Sequence, residues 1–146
     1  MYKRILITTD GAALSKKAVN SGIGLAAALN AEVVAFTAVP RYPQMYFEGA
    51  VVLSRAETDR IEKSWNDEAQ MVVDAVQKEA KALNVKATTV LGHGEVAESI
   101  ISAAKKHGCD LIVMASHGRK GISRVLLGSE TLDVLTHSHV PVLVLR

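Results

Sequence analysis

Four short runs along the chain are apolar and rich in β-branched residues without alternating: RILITT (4–9), AEVVAFTAV (31–39), DLIVMA (110–115) and VPVLVL (140–145). A strand with one wet face alternates apolar and polar positions, so runs that do not alternate predict strands covered on both faces, as in a parallel sheet. A fifth run, VKATTVLG (85–92), is more polar and belongs nearer an edge. Between these runs the period lengthens to three and four. Residues 15–29 present a narrow face of Ala18, Gly22, Ala26 and Leu29, small enough for a helix to lie close on a sheet. From Ser54 the series Ile61, Trp65, Ala69, Val72, Val76, Ala80 and Leu83 predicts one long amphipathic helix behind a capping box of Ser54 and Glu57. Residues 95–106 place Val96, Ile100, Ala103 and Ala104 on one face, with glycines at 92, 94 and 108 around them, and a last helix is expected from about Ser129 to Thr136.

Strands alternating with helices predict repeated βαβ units: an α/β fold with a mainly parallel sheet between two helical layers. In such sheets a ligand sits beyond the carboxyl ends of the strands, where the strand order reverses. Attention therefore falls on four strand exits: 8–12, 37–43, 92–95 and 115–129. The 146 residues suffice for one domain, 1–146, with its own core. With 17 basic and 15 acidic side chains the net charge is only +2, which argues against nucleic acid as the main partner. The single cysteine, Cys109, fits a reducing compartment and a buried position at a strand entrance. The apolar run at 5–7 is too short for a secretion signal, and nothing approaches the ~18 apolar residues of a membrane span. The expected location is the cytoplasm. Tyr42, Met45, Tyr46 and Phe47, in the segment 40–53, interrupt the alternation and are read as a lid, a partner surface or a loop tucked on its own domain.

The stretch DLIVMASHGRKGISRVLLGSET (110–131) carries the chemistry. It is no Walker loop, because no Gly-Lys-Ser/Thr triplet occurs in the chain. Gly118 and Gly128 let main-chain amides come near an anion and are expected to adopt dihedrals closed to other residues, Arg119, Lys120 and Arg124 add positive potential, and Ser129 opens a helix whose first N–H groups favour negative charge. The alternative is a surface turn shaped by Gly118 and Gly121, with a solvated basic face and Ser129 as a plain cap. Asp10, just past the first strand, can take a ribose hydroxyl or an adenine amine, or cap the next helix. The two exits face one crevice if the first and fourth strands are neighbours.

With these residues in view, the chain resembles the universal stress protein family over nearly its whole length. The segments that carry the likeness are ILITTDGAALSKKAV, FTAVP, GHGEVAESIISAAKKHGCDLIVMASHGRKG and VLLGSETLDVLTHSHVPVLVLR. The resemblance implies a three-layer, doubly wound, five-stranded parallel sheet of order 3-2-1-4-5, of the adenine nucleotide alpha-hydrolase-like type. ATP-binding members carry Gly, two residues, Gly, nine residues, then Gly-Ser/Thr. Here Gly118 and Gly128-Ser129 satisfy the pattern, and Ala115 stands where the first glycine belongs. With φ below zero the Ala115 methyl need only fit; with φ above zero it costs about 1–2 kcal/mol. By the resemblance Thr8, Thr9 and Asp10 line the adenosine end, and Ala38 and Val39 border the adenine. Met114 and Ala115 lie beside the ribose and phosphates; Gly118, Gly128, Ser129 and Glu130 cradle the phosphate chain.

The function so implied is binding of ATP, with or without Mg²⁺, by a stress-response regulator that is not an enzyme, slow hydrolysis aside. A nucleotide-free dimeric interaction module is the alternative. His137 and His139 read as a polar loop, and neither they nor His93 and His117 form a metal or catalytic set. The final apolar strand lies at the sheet edge in the family order, which predicts a homodimer through Val140 to Arg146 alongside an unknown protein partner.

Overall fold

The computed structural model describes residues 1–40, 54–118 and 126–146. The apolar runs become strands β1 (Arg4–Thr8), β2 (Glu32–Val39), β3 (Ala87–His93), β4 (Leu111–Ala115) and β5 (Val142–Leu145). Between them lie helices α1 (Ala13–Leu29), α2 (Arg55–Ala82), α3 (Val96–Lys106) and α4 (Ser129–His137). All pairings are parallel, in the order β3-β2-β1-β4-β5. Order 3-2-1-4-5 is thus the observed topology, and the direction of winding reverses between β1 and β4.

The two faces of the sheet bury separate clusters. Ile5, Ile7, Val33, Ala35 and Val113 pack against Ala18, Val19, Ile23 and Ala26 of α1 and Val73, Val76 and Ala80 of α2. Leu6, Val34, Phe36, Ile112 and Met114 pack against Ile100, Ala103 and Ala104 of α3 and Val134 of α4. This strict alternation along β1 and β2 is the period-two geometry of a strand wrapped on both sides. Gly22 lets α1 settle on the sheet: a Cβ there would stand 2.6 Å from Ile7 Cδ1. Cys109 is buried in the second cluster, and burial pushes its thiol pKa up to about 11, so at neutral pH it packs as a protonated hydrophobe.

α2 begins with the expected capping box. Ser54 Oγ accepts the Glu57 N–H, and the Glu57 carboxylate accepts the Ser54 N–H at 2.8 Å, which holds that carboxyl below its usual pKa. Its buried stripe is shorter than the sequence reading and shifted at one position: Val73 rather than Val72 faces the core, Ile61 and Trp65 are only half-buried, and Leu83, 55% exposed, lies outside it. At 28 residues α2 runs ~42 Å, whereas eight-residue β2 spans ~26 Å. No residue of α2 before Ala69 is buried, because the amino half of the helix outruns the strands that it covers. Its start lies at the strand carboxyl ends, where Asn66 meets His93 at 3.2 Å.

Candidate nucleotide crevice

The β1 exit is shaped by a left-handed glycine. Gly11, at φ 78°, turns the chain into α1. Asp10 is held beside that turn, its Oδ1 accepting the Ala12 N–H at 2.8 Å and the Ser15 hydroxyl at 2.9 Å. Ser15 Oγ also lies 2.9 Å from Thr9 Oγ1, which accepts the Gly11 N–H. One carboxylate oxygen thus braces the turn ahead of α1, whose N-cap is Ala12 without any side-chain cap, so Asp10 is not the helix cap that one reading of the sequence made it; its Oδ2 turns towards Gly118.

The β4 exit is stapled shut at its base. Gly128 N–H donates to Ser116 O at 2.8 Å, and the buried Thr131 hydroxyl shares its proton between Ala115 O and Ser116 O. These bonds bring the two ends of the 119–127 connection together beside β1. The N-cap of α4 is Gly128, without any side-chain cap, so Ser129 is the first helical residue and not the cap that one reading of the sequence made it. The first-turn N–H groups of α4 have no intrahelical acceptor and carry partial positive charge.

The motif glycines are needed for space and not for backbone freedom. Gly128 has φ −61°, and Gly118 is not among the left-handed glycines. A Cβ on Gly118 would stand 3.2 Å from Asp10 Oδ2 and 3.9 Å from Glu130 Oε2; one on Gly128 would stand 3.1 Å from Ser116 O. Ala115 likewise has no positive φ, so the left-handed penalty does not arise, and its methyl packs in the α1-side cluster.

A single crevice of about 430 Å³ gathers these groups. Its lining includes Thr8, Thr9, Asp10, Ala38, Met114, Ala115, Gly118, Gly128, Ser129 and Glu130. Of the residues singled out in the sequence, Val39 alone does not line it; at 3% exposure its side chain is packed away at the end of β2. Arg119, Lys120, Gly121 and Arg124, like the segment from Tyr42 to Phe47, lie outside the described residues. The lining also contains residues that the motif did not single out: Ser15, Thr37, Pro40, Val96, Ile100, His117 and Thr131. Val96 and Ile100 could be found from the apolar face of α3, whose first turn rises beside the β1 exit. Thr37 and Thr131 gave no signal beyond being hydroxyls in otherwise apolar surroundings. Among the described residues no group of three His, Cys, Asp or Glu side chains could hold a metal ion, and no helix is long and apolar enough to cross a membrane.

The model of the universal stress protein family matches residues 1–146. This chain belongs to the universal stress protein family. It is 35% identical to universal stress protein MJ0531 of Methanocaldococcus jannaschii over 146 residues, spanning all of this chain and 83% of that one. Its fold superposes on the solved structure of MJ0577, a protein whose biochemical function was assigned from structure, with TM-score 0.75, 26% identity and coverage of 99% and 96%. Two further universal stress proteins share the fold. One was solved in complex with cAMP (TM-score 0.72, 23% identity, coverage 99% and 96%). The other, from Archaeoglobus fulgidus, was solved in complex with dAMP (TM-score 0.66, 16% identity, coverage 99% and 98%). In this universal stress protein the crevice lies where β1 and β4 part, the reversal point at which doubly wound sheets hold ligands.

Proposed function

We propose that this universal stress protein binds an adenine nucleotide, ATP in the first instance, in the crevice between the β1 and β4 exits, and acts as a nucleotide-dependent regulator in the cytoplasm. The observation that carries this reading is the convergence of Gly118, Gly128 and the uncapped start of α4 opposite Asp10. Uncapped helical N–H groups suit phosphate oxygens, and a carboxylate at the neighbouring strand exit suits a ribose hydroxyl. The volume falls within the roughly 300–1,000 Å³ of small-molecule sites. Complexes of related folds with cAMP and dAMP support the adenine class. Along the sheet the ligand runs from phosphate at β4, beside Met114, through ribose at β1, to base at β2, against Ala38 and Pro40. Since Asp10 and Glu130 flank Gly118, a triphosphate here requires a counter-charge, and Mg²⁺ is the natural one. The helix amides and not the Glu130 carboxylate are the direct phosphate donors in this reading.

Isothermal titration with Mg-ATP tests the proposal. A saturable heat and a released adenine absorbance from freshly denatured protein are expected; no heat at millimolar ligand would overturn it.

The β5 edge favours a homodimer through residues 140–146 as part of the same reading. Leu143 on that edge strand is 40% exposed, and Leu132 and Leu135 of α4 are exposed nearby. An apolar strand with an open edge pairs readily with another copy. Sedimentation should show a dimer at concentrations on the order of tens of micromolar, with dissociation at lower concentration; a monomer throughout removes the dimer and with it the nucleotide-free interaction module, which depends on that edge.

A further inference from the structure

Five polar residues are buried among the described residues: Thr9, Ser15, Thr37, Ser116 and Thr131. Four have evident partners. Thr9 and Ser15 bond each other, Ser116 Oγ lies 2.9 Å from His117 Nδ1, and Thr131 donates to two carbonyls. Thr37 is the exception. It is 4% exposed, and its hydroxyl makes no hydrogen bond among the described residues. Nor is that oxygen sealed in the core, because no described side-chain oxygen or nitrogen is both fully buried and unpartnered. Thr37 lines the crevice, so its hydroxyl opens there.

An unpaired polar group in this position works against stability, and valine would fill the same volume without that cost. On β2 the side chains of Val33 and Ala35, on the same face as Thr37, are purely apolar. We infer that Thr37 is a specificity-determining residue of the nucleotide site, its hydroxyl completing its hydrogen bonding on the polar edge of the bound base. This assignment rests on the nucleotide reading above and adds to it the group that reads the base.

Position selects the base over the rest of the ligand. Thr9 N–H bonds Phe36 O, which continues the β1–β2 ladder and sets Thr9 beside Thr37. β4 lies on the other side of β1. With parallel strands ~4.8 Å apart, Thr37 is ~10 Å across the sheet from the β4 exit, too far to meet a phosphate seated at the start of α4. Asp10 lies between, at the ribose. A hydroxyl both donates and accepts, so it can serve a ring nitrogen or an exocyclic amine.

Thr37→Val and Thr37→Ser test this, with AMP and ribose 5-phosphate as probes and unfolding temperature as a second readout. Thr37→Val is expected to weaken AMP about five- to ten-fold, the value of one neutral hydrogen bond. It should leave ribose 5-phosphate unchanged and hold or raise the unfolding temperature of the free protein. Thr37→Ser, which keeps the hydroxyl, should stay within about two-fold of wild type for AMP. Equal AMP affinity in wild type and Thr37→Val overturns the assignment and leaves nucleotide binding standing. So does an equal loss for ribose 5-phosphate, which would make the effect independent of the base. A wild-type protein that binds neither probe overturns both the assignment and the function on which it rests.

Discussion

Gly118→Glu is expected to weaken Mg-ATP at least about 100-fold, equivalent to ~2.7 kcal/mol, while the protein stays folded. Gly118 sits on the exposed rim of the crevice, so its replacement does not disturb the core. The added Cβ would stand 3.2 Å from Asp10 Oδ2 and 3.9 Å from Glu130 Oε2, where glycine leaves room. A third carboxylate there occupies the space of the phosphate chain and repels it. Two like charges ~4 Å apart oppose each other by about 4 kcal/mol at an effective dielectric constant near 20, so even a partly relaxed side chain reaches the stated loss. Gly118→Ala isolates the steric part: Asp10 must yield a few tenths of an ångström, and the loss should be near ten-fold or less. Titration of both variants, with circular dichroism to confirm folding, decides the matter. If Gly118→Glu bound ATP as tightly as wild type, the ligand would not lie in this crevice.

The strands and helices were legible because each run had a clear period, and the reversal point followed once the order was known. Two kinds of position were not. The first concerns offsets of one residue. Val72 and Val73 are adjacent valines on a helix of period 3.6, and only packing against β2 and β3 decides which of them faces inward. Gly128 and Ser129 compete for the cap of α4, and the bond from Gly128 N–H to Ser116 O gives the cap to glycine, which moves the Ser129 hydroxyl out of the capping position. The second kind concerns what is missing around a side chain. In AEVVAFTAV, Thr37 reads as one more β-branched strand former. That its hydroxyl lacks a partner among the described residues, while that of Thr9 has one, follows from where Ser15 falls on α1 and has no trace in the pattern. The purpose of the glycines was half legible. Their spacing marked the site, yet the expectation that they supply unusual dihedrals gives way to close packing against Asp10 and Ser116.

The same steric logic in the core predicts a large loss of stability from the smallest substitution. Gly92→Ala is expected to destabilise the protein by about 3 kcal/mol, the upper end of overpacking costs. Gly92 is buried on β3, opposite Ala38 on β2, and has no positive φ, so backbone strain plays no part. Its missing side chain is replaced by the ring of Phe36, whose Cζ and Cε2 occupy the volume that a Cβ would take, with Ser99 Oγ 3.0 Å away on α3. Phe36 is fully buried among Leu6, Val34, Ile100 and Ile112, so the ring cannot swing aside without displacing those neighbours. Gly24→Ala serves as the opposite case. A Cβ there meets nothing within 4 Å on the exposed face of α1, and the change should stabilise by about 0.5–1 kcal/mol through helix propensity. Thermal unfolding should therefore fall by roughly 10 °C for Gly92→Ala and rise by a few degrees for Gly24→Ala. Phe36→Leu, which costs stability alone, should cost less in the presence of Gly92→Ala, because the smaller side chain releases the overlap. Because Phe36 precedes Thr37, a ring forced from its seat also shifts the β2 exit, so Gly92→Ala should weaken nucleotide binding without touching the ligand. Unchanged stability of Gly92→Ala would mean that the Phe36 ring is not packed against β3 as described, and the placement of Thr37 at the base would lose its support.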